Sequence, residues 1–146
     1  MALNFQAQYN LHDQHKLGLN YWYGEANNYK KIKLGLQAVL GWSEKFYTLT
    51  EFDHLWSKDN KDFETKSLFE LLKIGYEFYK GLHFQAVQEW GKIDAASSTE
   101  TQSLGAGFLW YPRPHFELES LWSKRKIIAK TDLSEDYAYL LLHFYF

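Results

Sequence analysis

The chain has 146 residues, with 16 Lys and Arg against 18 Asp and Glu for a net charge of −2. That length suits one domain with a sizeable core, and the charge balance excludes a strong pull toward nucleic acid or anionic surfaces. There is no cysteine, hence no disulfide framework and no thiolate metal site, and no run of 18 apolar residues to make a transmembrane helix.

Aromatic residues reach 19%, with six Trp, eleven Tyr and eleven Phe. They recur with a period of two. From the N-terminus, Leu3, Phe5, Ala7, Tyr9 and Leu11 alternate with Asn4, Gln6, Gln8 and Asn10. Leu17, Leu19, Tyr21 and Tyr23 alternate with Lys16, Gly18, Asn20, Trp22 and Gly24. After Asn27-Asn28 the apolar set moves to even numbers, Ile32 to Trp42, against Lys31, Lys33, Gly35, Gln37, Val39 and Gly41. Such alternation is the signature of a strand with two unlike faces, and two Gly in each of the last two stretches argue against helix.

The pattern continues through Phe46–Trp56 and Leu72–Phe78, then through Leu82–Trp90 after the tight Lys80-Gly81 turn. Gln88 interrupts that apolar face. Leu104–Trp110, a turn at Tyr111-Pro112-Arg113-Pro114, Phe116–Trp122 and the final Ala138–Phe146 complete the series. The expected fold is all-β: an antiparallel up-and-down barrel of about eight to ten strands, nine by this count, in one domain over residues 1–146.

One face carries Leu, Phe, Tyr, Ile and Trp at nearly every step. The other carries Gly and charges of both signs: Lys31, Lys33, Glu51, Asp53, Lys73, Glu77, Glu89, Glu117 and Glu119. So many bulky side chains are hard to pack inside a small barrel, whereas Gly suits a narrow interior. The inverted arrangement, apolar face to lipid and polar face to the lumen, fits this division. Trp42, Trp56, Trp90, Trp110 and Trp122 fall near strand ends of the apolar face, where interfacial aromatic girdles sit.

The last residues, DYAYLLLHFYF, put Ala138, Leu140, Leu142, Phe144 and Phe146 on one side. This chain resembles the bacterial outer-membrane β-barrel proteins over essentially its whole length, through this C-terminal aromatic signature and the alternation behind it. The resemblance implies a bacterial outer-membrane location, contact with the bilayer and lipopolysaccharide, and an assembly signal at Leu140, Leu142, Phe144 and Phe146 for the barrel-assembly machinery. It also implies a C-terminus on the periplasmic side, short internal turns, and long external connections at 57–65, 93–101 and 124–135. Such barrels nearly always have an even number of strands. The odd count points to a compact barrel with one strand split or set outside the wall, or to the C-terminal part of a larger barrel. The N-terminal stretch lacks the basic start and apolar core of a secretory signal, which points to a cytosolic chain or to one following a removed segment.

The lumen charges read as a salt-bridged plug or as a pore lining. His12 and His15 fall in a predicted turn and His54 near an interface, while His83, His115 and His143 face inward. Asp53 and His54 point to opposite faces of one strand, and no His and carboxylates stand at metal-binding spacing. No enzyme, cofactor or metal is therefore expected. The basic run Ser123-Lys124-Arg125-Lys126 lies at an outer strand end, within reach of lipid phosphates. The leading function is a passive porin-like transport wall or filled-lumen membrane scaffold, with self-association open. The alternatives are adhesion through the external loops, or a soluble barrel binding an apolar ligand.

Overall fold

In a computed structural model the chain is described over residues 1–12, 14–26, 29–59, 63–129 and 132–145, the side chain of His12 excepted. It forms the expected all-β antiparallel meander. The strands are β1 (Ala2–His12), β2 (His15–Ala26), β3 (Tyr29–Gly41), β4 (Phe46–Asp59), β5 (Glu64–Tyr79), β6 (Leu82–Asp94), β7 (Ser98–Arg113), β8 (Phe116–Ile128) and β9 (Leu133–Phe144). They pair in chain order in one nine-stranded sheet. Among the described residues β1 pairs only with β2 and β9 only with β8, so these are the two edges. An odd number of alternating strands makes both edges run in the same direction.

The registers keep like faces together throughout. Leu34 lies opposite Tyr21 and His54, and Gly35 opposite Asn20 and Asp53. A slip of one residue would exchange the two faces of a strand, so this pattern locks the pairing. Irregularities occur at Asn10/His12, Glu77/Tyr79 and Trp110/Arg113. All three flank hairpins at the same end of the sheet. Two of those turns use a left-handed residue, Gly81 at φ 72° and His115 at φ 65°.

The strands are longer than the apolar alternation alone indicates. The connections expected to be long at 57–65, 93–101 and 124–135 are mostly strand: β4 runs on to Asp59, β6 to Asp94 and β8 to Ile128. Likewise Tyr111, Pro112 and Arg113 end β7, and the turn falls at 114–115, which removes His115 from the inward-facing strand position expected of it. The backbone ladder needs no apolar side chains to continue. Polar pairs such as Lys92–Asp94 at 3.3 Å, Arg125–Glu135 at 3.3 Å and the Ser98 hydroxyl on Asp94 at 2.7 Å support these hairpin ends. The Asn27-Asn28 turn, Asp13 and Phe146 lie outside the described residues.

The sheet curves around its polar face. Lys73 shares a rung with Val87, Gly105 and Ser123, yet its Nζ reaches Glu119 Oε1 at 3.2 Å, four residues from Ser123 along β8. On a flat sheet those two Cα atoms would stand about 20 Å apart, too far for the side chains to meet. Every buried glycine and serine lies on this concave face: Gly18, Gly24, Gly35, Gly75, Gly91, Gly105 and Gly107, with Ser57, Ser67, Ser103 and Ser123. Their small size is what lets the strands coil inward. At Gly107 a side chain would collide with the Ser120 carbonyl of β8. Gly107→Val is expected to destabilise the fold by about 1–3 kcal/mol through overpacking, as measured by urea unfolding of detergent-folded protein, while the convex-face change Leu36→Val changes stability by less than about 0.5 kcal/mol.

Candidate functional site: the concave polar face

Burial is inverted relative to an ordinary globular core. Among the described residues Val87 and Leu121 are the buried large apolar side chains, and both sit on the concave face. Gln85 and Ser123 there are 1% exposed, while the convex-face Leu36, Leu104 and Leu140 are 52%, 67% and 63% exposed. The accessible surface is 10338 Å² for a 17.4 kDa chain, against about 7,900 Å² for a compact monomer of that mass. This is a single layer whose apolar side faces out.

All nine charged residues expected to line the interior lie on the concave face, by register. Most are neutralised locally. Lys33 meets Asp53 at 2.8 Å, and Lys31 lies over the Trp22 ring at 5.9 Å. Lys73 bridges to Glu119, both side chains being mostly buried. Glu77 accepts the Gly81 amide at 2.7 Å and so pins the β5–β6 turn. Glu89 accepts from the Tyr137 hydroxyl at 3.3 Å, which links β6 to β9, a second contact between strands that do not pair. Glu117 meets His143 Nδ1 at 3.3 Å and accepts from Tyr145 at 2.7 Å. Tyr145 lies just past β9, and that hydrogen bond to a carboxylate raises its phenol pKa above the ordinary value.

Glu51 belongs to a cavity of about 360 Å³ with Asp53, Glu89 and Arg125. One oxygen of Asp53, Oδ1, is buried there with no hydrogen-bond partner among the described residues. Arg125 belongs to this face as well, paired with Glu135 and stacked 4.7 Å over Tyr137. Its odd number within β8 was the signal for this, although the basic run around it reads as a strand end. Aromatic and amide groups fill the rest. Tyr47 reaches across Gly75 to Gln85 Nε2 at 3.1 Å, and the His83 ring stands edge-on to Tyr47 and to Tyr111 at 5.9 Å each. Alternation alone also puts Tyr47, Gln85 and His83 inside, whereas Tyr111 reads as part of a turn in the sequence; which neighbour each one meets depends on the coiling.

Asp53 faces the interior and His54 the convex face, opposite Leu34. No group of three or more His, Asp or Glu able to hold a metal occurs among the described residues. Among the five convex-face tryptophans, three indole N–H groups find partners: Trp42 donates to Thr48 at 3.1 Å, Trp90 to Glu100 at 2.9 Å, and Trp56 to Glu64. Trp110 lies three residues before the end of β7, opposite Leu82 and Leu118. Trp122 is mid-strand by register, between Ala106 and Ala138, rather than at a strand end. Leu140, Leu142 and Phe144 share the convex face of β9, Phe144 packing its ring 5.1 Å from Phe116. No protein-family model matches this chain, and no curated protein matches it.

The Lys73–Glu119 bridge spans strands that do not pair, so it reports on coiling. Lys73→Met is expected to cost about 1–3 kcal/mol by leaving Glu119 unpaired. Adding Glu119→Gln is expected to recover part of that loss in a double-mutant cycle read by urea unfolding. A zero coupling energy would mean the two side chains do not meet.

Proposed function

We propose that the chain is a passive membrane wall of the bacterial outer-membrane β-barrel type, with its concave side filled by its own side chains. One observation carries the reading: a single-layer sheet whose bulky residues are exposed on the convex face while serines, glycines and Gln85 are buried on the concave one. Water disfavours that arrangement at about 25 cal/mol per Å² of apolar surface, and hydrocarbon favours it. The strands, from 11 to 16 residues, are long enough to cross about 25 Å of hydrocarbon at a 45° tilt.

The tryptophans support the tilt. From Trp56 on β4, the same rung leads through Lys66 to Asp94 on β6, and Trp90 lies four residues short of Asp94. From Trp90 the rung leads through Gln102 to Lys126 on β8, and Trp122 again lies four residues short. Trp56, Trp90 and Trp122 thus form one oblique line across alternate strands. In tilted strands such a line is level with the membrane surface. It explains a mid-strand Trp122 within a girdle.

The interior bridges favour a filled scaffold over an open pore. Completion of the wall takes either a parallel β1–β9 pair or an odd number of further strands, because hydrocarbon leaves no solvent for unpaired edges. Protein refolded in detergent is expected to migrate differently on an SDS gel before and after boiling, and to give no sustained conductance steps in planar bilayers. A band at a multiple of the monomer size would assign the completing strands to further copies. Folded protein that stays soluble without detergent would overturn the membrane reading.

A further inference from the structure

Two sequence features find no use in a passive wall: Gln88, which breaks the apolar face of β6, and the basic run on β8. The structure brings them to one place. On the convex face a groove of about 950 Å³ is lined by the indoles of Trp90 and Trp122 and floored by Ala86 and Ala106, with the exposed Leu104 at its side. Gln88, Leu104 and Lys124 share one rung across it. Trp90, Gln102, Lys126 and Ser134 form the next rung outward.

Two polar groups of the groove, Gln88 and Lys124, are available for a ligand, while Gln102 and Lys126 have partners on the protein. Gln102 donates to Glu100 at 2.8 Å, and Lys126 is 3.6 Å from Asp132 at an exposed hairpin end. Lys124 forms no ion pair among the described residues, although Asp136 is its cross-strand neighbour. Gln88 is exposed and forms no hydrogen bond among the described residues. An amide on a hydrocarbon-facing wall is costly unless something brings it a partner.

We propose that this groove seats one phospholipid, an inference that rests on the membrane reading above. The phosphate lies on Lys124 and Lys126, where the charge is complementary. One acyl chain follows the alanine floor beside the two indoles, and its ester oxygens accept from Gln88. The depths agree. Gln88 is two residues nearer the middle of β6 than Trp90, and Lys124 is two residues beyond Trp122 toward the outer end of β8. Relative to the Trp line, the amide therefore lies on the acyl side and the ammonium on the headgroup side, as ester and phosphate do in a lipid.

The test uses the full chain folded in detergent, with dioleoyl phosphatidylglycerol and dioleoylglycerol as probes, and native mass spectrometry to count bound lipid. The phosphate-bearing lipid is expected to be retained as a one-to-one complex and the phosphate-free one at least about tenfold less. Lys124→Gln with Lys126→Gln is expected to remove that preference. Ala106→Leu, which fills the floor, is expected to remove retention of both, with each variant still showing the heat-dependent gel shift. Equal retention of the two lipids, or a preference untouched by the lysine changes, in protein that shows the shift would overturn this inference alone. Loss of the shift in the parent chain, with solubility in water, would overturn the membrane reading and this inference together.

Discussion

A sheet one layer thick has no interior except the one it makes by curving. Everything else in this structure depends on which side it curves toward. Here the concave side receives glycine, serine and charge, because only small residues allow neighbouring strands to approach across a tight curve, at Gly105 and Ser123 for example. Most of the bulky apolar side chains are thereby committed to the convex side. A sandwich would cover them with a second sheet, and this chain places all nine strands in one.

Charge follows from the same constraint. Side chains converging on a narrow concave face cannot remain ionised without partners; Lys33–Asp53 and Glu117–His143 join neighbouring strands, and two further contacts join strands that do not pair with one another. Lys73 reaches from β5 to Glu119 on β8, and Tyr137 from β9 to Glu89 on β6. Followed from the earlier strand to the later, both contacts are displaced from the rung toward the same end of the sheet. This shared displacement is the handed coil of a twisted sheet expressed in side-chain contacts. The proposed filled interior is thus a consequence of curvature and pairing together.

On the convex side the proposed membrane contact is uneven. The outward positions of β3 remain apolar from Ile32 to Trp42, whereas on β6 and β8 amide and ammonium groups enter at Gln88 and Lys124. Strand tilt accounts for the ammonium, since the oblique Trp line puts Lys124 on its outer side. It does not account for Gln88, and the lipid groove is what gives that amide a chemical role. The short hairpins, with turns such as 95–97 and 114–115, offer little loop surface for adhesion.

The alternation of Leu, Phe, Tyr and Trp with Gly and charge made the nine strands, their two faces and the concave position of Lys31 through Glu119 legible in the sequence. This works because a strand turns its side chains to opposite faces at every step, whatever its surroundings. Strand ends were not legible. Lys92, Asp94, Arg125 and Glu135 carry no apolar period, and only their backbone register with the neighbouring strands shows that the ladder continues through them. Nor were the cross-sheet contacts, the inward stacking of Arg125 on Tyr137, or the alignment of Trp122 with Trp56 and Trp90. Periodicity specifies direction along one strand. Distance between strands that do not pair is set by curvature and shear, which belong to the sheet as a whole.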